Sequence, residues 1–265
     1  MTLTSGQAGI CLALPAYNEA ENLPPLLTTW EEVLARLQRP FRIVIVNDGS
    51  SDNTAKVLGH WAAHPAFKII THPVNQGLGK TIADAILAAV AESADRDVLV
   101  TMDADNTHPP EIFPQMLALL DEGKADVVIA SRYCSGSQVM GLSISRLAMS
   151  WGARLLFQIV FPIPGVKDYT CGYRAYRAWV VKKAIAIYQE RLFEEKGFQC
   201  MADILLKISR IPNIRFAEVP LILRYDRKGG ASKMRVARTV WRTLSLLVRR
   251  RLERTHEHGI GPERH

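Results

Sequence analysis

Short apolar runs alternate with amphipathic stretches along the first half of this chain. Residues 10–14, 41–46, 67–71, 97–101 and 126–130 are apolar and bounded by turn-forming residues, a pattern that predicts strands. Residues 19–37, 51–64 and 80–91 carry helical spacing, with Ser51 or Asp52 as the cap of the second, and Pro109-Pro110 opens another helix through Leu120. This order predicts an α/β fold with a mostly parallel sheet and helices on both faces. The second half is less regular. Residues 141–161 read as a long amphipathic helix, 169–177 as a strand, and 178–189 and 197–210 as helices. Residues 214–224 read as extended, broken by Pro220. A Gly229-Gly230 loop precedes a helix over 233–254, and the last ten residues are polar and frayed.

In parallel sheets of this kind, ligands bind beyond the carboxyl ends of the strands. Polar clusters fall at three such ends: Tyr17-Asn18-Glu19, Asn47-Asp48-Gly49-Ser50 and Asp103-Ala104-Asp105, which predicts one shared crevice. The last cluster pairs two carboxylates at i, i+2 where the chain leaves a strand. Hard oxygen ligands suit Mg²⁺ or Mn²⁺ bridged to phosphates, and a plain turn is the alternative. Asp48 is placed to meet a nucleotide base or ribose, Tyr17 to flank the base and Glu19 to reach the ribose or base edge; a turn with a helix cap is the alternative here. Gly77-Leu78-Gly79-Lys80-Thr81 is neither a P-loop, which needs glycine where Val74 stands, nor a dinucleotide fingerprint, which needs Gly or Ala at Ile82. It still offers a tight turn close to a ligand. His60, His64, His72 and His108 lack metal-ligand spacing, although His108 lies close to the carboxylate pair.

Charge adds a second theme. The net charge of +7 is concentrated late, in Arg235, Arg238, Arg242, Arg249, Arg250, Arg251 and Arg254. Such a run attracts anions or forms a solvated helix face. Val236, Val240, Trp241, Leu244, Leu247 and Val248 fall on one face between these arginines, which suits a helix lying in a membrane interface or packed on the domain. No apolar stretch is long enough to span a bilayer. The four scattered cysteines suit reduced thiols in a cytosolic protein rather than zinc.

Taken in order, LPAYNEAENL (14–23), VNDGSSDNT (46–54), NQGLGK (75–80), MDADNTHPP (102–110), ASRY (130–133), DYTCGYRAY (168–176), KGFQ (196–199) and RKGGASKM (227–234) resemble the family 2 glycosyltransferases. The likeness is greatest to the dolichol- and polyprenol-phosphate mannosyltransferase branch and covers residues 10 to 236. It implies a GT-A-type, Rossmann-like catalytic domain over 1–235, followed by a basic amphipathic helix and tail over 236–265. It implies that Pro15, Tyr17, Glu19 and Asp48, with Asp103 and Ala104, hold the nucleotide. Asp103 and Asp105 would serve the sugar and a Mg²⁺ or Mn²⁺ ion, with Thr107 at the place of a third ligand. Arg132, Arg146, Arg227 (with Arg224 as its rival) and Lys233 match the phosphate-handling cations. Leu142 stands where the family often has Trp, and Ala85 where Gly is usual.

The activity so implied is inverting transfer of a sugar from a nucleotide-sugar, GDP-mannose first, to a polyprenyl phosphate. The setting implied is peripheral contact with the cytoplasmic face of a membrane, with room for a separate anchoring subunit and no role for nucleic acid. A phosphate acceptor is already dianionic near neutral pH and needs no general base. A sugar hydroxyl would need one, with Asp168 or Asp203 as the candidates. The rivals are a family 2 enzyme using a UDP-sugar and a glycan or glycolipid hydroxyl, and a nucleotide-sugar-binding subunit without catalysis.

Overall fold

The computed structural model of the chain describes residues 7–142, 144–227 and 236–259. Strands β1 (Ile10–Ala16), β2 (Phe41–Asn47), β3 (Phe67–Thr71), β4 (Val98–Thr101) and β5 (Val127–Ser131) lie where the apolar runs predict them. Side chains of β1 alternate between two cores: Ile10, Leu12 and Leu14 face one, Cys11 and Ala13 the other. A strand buried on both faces reads as a continuous apolar run for that reason. Helices α1 (Leu23–Leu37) and α4 (Phe113–Asp121) cover the first face; α3 (Leu78–Ala91) and α6 (Ala178–Tyr188) cover the second. On the first face Trp30 is fully buried against Phe113 and Tyr173 and donates its indole N–H to Met102 Sδ at 3.1 Å.

The sheet has seven strands in the order β3-β2-β1-β4-β7-β5-β8. Strand β7 (Arg174–Arg177) runs antiparallel between β4 and β5, and β8 (Phe216–Pro220) adds to β5 in parallel. The architecture is thus α/β and mostly parallel, as expected, with one reversed strand in its middle. Only the last four residues of the expected 169–177 strand join the sheet. A small second sheet pairs β6 (Gln138–Met140), too short to show in the sequence pattern, with β9 (Ile222–Arg224).

Two helices are shorter than their periodicity suggests. Helix α1 starts at Leu23 because Asn18 to Asn22 are engaged in a turn: Glu19 N–H donates to the Thr54 hydroxyl, and Asn22 Nδ2 donates to Glu19 Oε2 at 2.6 Å. Helix α2 (Thr54–Gly59) begins after Asp52 accepts the Thr54 N–H, and its continuation breaks into turns before Pro65. The late helices are α5 (Ile144–Val160), α7 (Cys200–Ile208) and α8 (Val236–Gly259).

Helix α8 splits the stripe that its sequence presents: Leu247 is buried, whereas Trp241, Leu244 and Val248 are exposed. Leu246, Leu247 and Arg250 face the body of the protein, while Trp241, Val248 and Leu252 point outward. Polar geometry decides this. Arg250 Nε and Nη2 donate to Asp203 Oδ1 and Oδ2 at 2.6 and 2.9 Å, and Arg250 also reaches Glu194. Lys207 Nζ donates to the same Asp203 at 2.7 Å. All three partners are buried, so removing one strands the others in low dielectric. Arg250→Ala is expected to lower unfolding stability by about 3–5 kcal/mol, read as a fall in the urea midpoint. A loss under about 1 kcal/mol would mean that the apolar contacts of Leu246 and Leu247 alone seat the helix.

Candidate active site

At the carboxyl ends of β1, β2 and β4 lies a cavity of about 690 Å³. Pro15, Tyr17, Glu19, Asp48, Asp103, Ala104, Asp105, Thr107 and Arg132 all line it, so the structure gathers these sequence candidates in one place. The backbones of Arg146 and Arg227 belong to α5 and to a 3-10 turn after β9, but their side chains, and the whole of Lys233, lie outside the described residues. Arg224 pairs with Asp226 at 2.8 Å, and its amide donates to the Thr107 carbonyl at 2.9 Å.

The loops after β1 and β2 are tied to each other. Asp48 N–H donates to the Ala16 carbonyl, and Asn18, in the left-handed region at φ 52°, accepts the Ser51 N–H at 2.8 Å. Gly49, at φ +61°, lies so close to Val74 and Asn75 that a Cβ would fall 2.4 Å from backbone carbon. The buried Asp48 carboxylate accepts from Gln76 N–H, Gly77 N–H and His72 Nδ1 at 2.8, 2.9 and 2.8 Å. Burial pushes this carboxyl up, but the three hydrogen bonds outweigh it and hold the group below its ordinary range. Of the two glycines, Gly77 delivers its N–H to Asp48 and lines the cavity. Gly79 serves packing instead: a Cβ there would fall 1.9 Å from the Glu195 carbonyl oxygen.

The chain leaves β4 through Met102 into Asp103-Ala104-Asp105. Thr107 donates its hydroxyl and N–H to Asp105 Oδ1 at 2.7 and 3.2 Å. Its side chain therefore orients the second carboxylate. Among the described residues no three His, Cys, Asp or Glu side chains gather into a metal cage. Two carboxylates on a cavity wall are nevertheless the donor set that Mg²⁺ uses when phosphate and water complete its shell. His108 is buried edge-on to Tyr173, with Nε2 3.7 Å from Cys171 Sγ and Nδ1 lacking a partner among the described residues. Burial raises the thiols of Cys11, Cys171 and Cys200 to about 12, which keeps them protonated and unreactive.

Neither candidate general base reaches the cavity. Asp168 is wholly buried: Arg132 Nε and Nη2 bind it at 2.8 and 2.7 Å, and the Arg132, Thr170 and Cys171 N–H groups also donate to it. Burial raises its carboxyl, but Arg132 more than offsets this and lowers it from its ordinary value. Asp203 is held by Arg250 and Lys207. Asp168 thus acts as the support of Arg132, a role that sequence could not reveal across 36 positions. The outer cavity wall was also unforeseen. It comes from Met149, Ala153 and Leu156 of α5, Phe198, and Thr243 and Leu244 of α8.

Asp168→Asn is predicted to cost about 3 kcal/mol at neutral pH. Because its folded pKa is depressed, the native contribution is complete above about pH 4 and fades as pH falls through the lowered value. Urea midpoints of native protein and variant should therefore converge in acid; a gap independent of pH would refute the ion-pair account.

The family model described as "Glycosyl transferase family 2" matches residues 11–183. The chain is 32% identical over 228 residues to an undecaprenyl-phosphate mannosyltransferase of Micrococcus luteus, covering 83% of this chain and 85% of that one. It is 32% identical over 199 residues to a dolichol-phosphate mannosyltransferase of Pyrococcus furiosus, covering 75% of this chain and 52% of that one. An undecaprenyl-phosphate 4-deoxy-4-formamido-L-arabinose transferase of Pseudomonas savastanoi is 32% identical over 69% of this chain, which again spans 52% of the relative's length. Among solved structures, glucosyl-3-phosphoglycerate synthase of Mycobacterium tuberculosis with Mn²⁺, uridine diphosphate and phosphoglyceric acid matches with a TM-score of 0.64 at 18% identity. The match covers 93% of this chain and 79% of that one. Mannosyl-3-phosphoglycerate synthase of Rubrobacter xylanophilus matches with a TM-score of 0.57 at 15% identity, over 98% and 77%. The fold is that of the GT-A glycosyltransferases.

Proposed function

Because the chain belongs to glycosyl transferase family 2, we propose that it moves a sugar with inversion from a nucleotide-sugar, GDP-mannose first, to a polyprenyl phosphate. One observation carries this reading. A single cavity joins the carboxylates Asp48, Asp103 and Asp105 to an apolar wall of Met149, Leu156, Phe198, Leu223 and Leu244. The polar part suits a nucleoside diphosphate and its sugar, and the apolar part suits an isoprenoid chain. The relatives named for transfer to undecaprenyl and dolichol phosphates support the same acceptor class.

In the proposed step an oxygen of the acceptor phosphate forms a bond to the anomeric carbon. The bond from that carbon to the diphosphate breaks, and its electron pair leaves with the nucleoside diphosphate. A phosphate dianion attacks without a general base, which accords with Asp168 and Asp203 being committed to buried cations. Arg132 is held rigid by Asp168 and faces the cavity, so it is preorganised to receive phosphate without reorganising during the reaction. Asp103 and Asp105 would hold Mg²⁺ or Mn²⁺, which supplies charge neutralisation on the leaving diphosphate. Thr107 keeps Asp105 turned for that purpose.

No helix among the described residues is long and apolar enough to cross a membrane. Helix α5 instead exposes Leu147, Trp151, Leu155 and Ile159, four residues apart along one face, and α8 exposes Trp241, Val248 and Leu252. Both helices also wall the cavity. This arrangement supports peripheral seating on a lipid surface, with the cavity mouth close to the bilayer.

The activity test uses radiolabelled GDP-mannose, a short polyprenyl phosphate and Mn²⁺, followed by extraction into organic solvent. Label is expected in the organic phase, falling about a hundredfold or more with EDTA or in Asp105→Ala. Label transferred only from UDP-sugars, or only to a hydroxyl acceptor, would refute the donor or the acceptor. In a separate flotation test, Trp151→Glu with Trp241→Glu is expected to release the protein from anionic vesicles. Undiminished flotation of the double variant would place the membrane surface elsewhere.

A further inference from the structure

His72 is a buried histidine that the reaction described above does not use. It follows β3, whose ladder with β2 fixes its backbone: the His72 N–H donates to the Asn47 carbonyl at 2.9 Å. Its ring is held at both ends. Nδ1 lies 2.8 Å from Asp48 Oδ1, and Nε2 lies 2.9 Å from Asp84 Oδ2 on α3. The imidazole thus bridges two carboxylates, one at each ring nitrogen. Lys80 completes the row, donating to Asp84 Oδ1 at 2.5 Å. From the cavity wall outward the row runs Asp48, His72, Asp84, Lys80.

The row ends on the carboxylate that faces the candidate nucleotide pocket. His72 and Gln76 take up Oδ1 of Asp48, and Gly77 takes one position on Oδ2. The Thr81 side chain also bonds this carboxylate, which lines the cavity where a ligand would sit. Gly77 and Gln76 belong to the loop that opens α3, and Asp84 lies nearly two turns further along that helix. The same helix therefore grips Asp48 directly through its first amides and indirectly through the imidazole. Without the imidazole, the buried carboxylate would lose a hydrogen-bonding partner and Asp84 would be left facing a gap.

We propose that His72, clamped by Asp84, is a positioning residue that holds Asp48 aimed at the donor nucleoside. Asp48 then accepts a hydrogen bond from a base whose ring nitrogen carries hydrogen, as in uracil or guanine. Cytosine presents an unprotonated nitrogen there and is disfavoured. This inference rests on the reading that the cavity binds a nucleotide-sugar.

The test is an equilibrium titration of the full chain with GDP, UDP and CDP in Mn²⁺, for native protein, His72→Ala and Asp84→Asn, together with the KM for each substrate. His72→Ala is expected to weaken the preferred nucleoside diphosphate about tenfold or more and to narrow its margin over CDP. Its acceptor KM should be unchanged. Asp84→Asn keeps the shape and removes one charge. It should show a smaller loss of the same kind, and it serves as the decisive variant if His72→Ala folds poorly. Folded variants that bind within twofold of native, with the margin over CDP intact, would overturn the proposal. Native protein that binds none of the three diphosphates would instead overturn the nucleotide-site reading and this inference with it.

Discussion

The reversal of β7 is the constraint on which the site depends. A strand that runs antiparallel between β4 and β5 begins where its neighbours end, with Arg174 opposite both Thr101 and Ile129. The residues just before it, Asp168 to Tyr173, are therefore delivered to the carboxyl ends of the parallel strands. That single placement sets Gly172 beside Asp103, ties the Thr101 hydroxyl to the Gly172 carbonyl at 2.9 Å, and puts Asp168 beneath Arg132. A parallel strand at the same position would carry this loop to the opposite edge of the sheet and leave Arg132 unsupported.

Charge is handled in a consistent way around the cavity. Three buried carboxylates each meet a basic side chain: Asp48 meets His72, Asp168 meets Arg132, and Asp203 meets Arg250 with Lys207. Burying an unmatched carboxylate would cost several kcal/mol, so each pairing both permits the burial and fixes a geometry. For Asp48 and Arg132 the fixed group is the one that faces the cavity. For Arg250 it is a helix that forms part of the cavity's outer wall. Preorganised charge of this kind is worth more to a reaction than flexible charge, because it needs no rearrangement as the transition state forms.

Much of this was legible in the sequence, and the illegible parts share a cause. Strands β1, β4 and β5 announce themselves because burial on both faces makes them almost continuously apolar. The Asp103–Asp105 pair stands out because it directly follows such a run. Strand β7 was partly visible, but its direction was not, since orientation leaves no mark on hydrophobic spacing. The surroundings of Asp168 and Asp203 left no mark on the sequence, because the arginine that each carboxylate pairs with lies 36 or 47 positions away. The amphipathic pattern over 141–161 marked α5 as a candidate for an interface, and the packed structure shows which side chains stay exposed: Leu147, Trp151, Leu155 and Ile159. His72 carried no motif at all. Its one clue was its place just past the end of a strand.

The strand order also bears on how the protein must be made. β5 pairs only with β7 and β8, both later in the chain. During synthesis β1 to β4 can assemble while β5, apolar over Val127–Ala130, waits with two open edges until residues 174–177 and then 216–220 emerge. At ribosomal speeds that interval lasts on the order of seconds. The price of a site assembled from both halves of the chain is thus a nascent chain with an exposed, sticky strand, whose yield depends on chaperone capacity and temperature more than the finished fold would suggest.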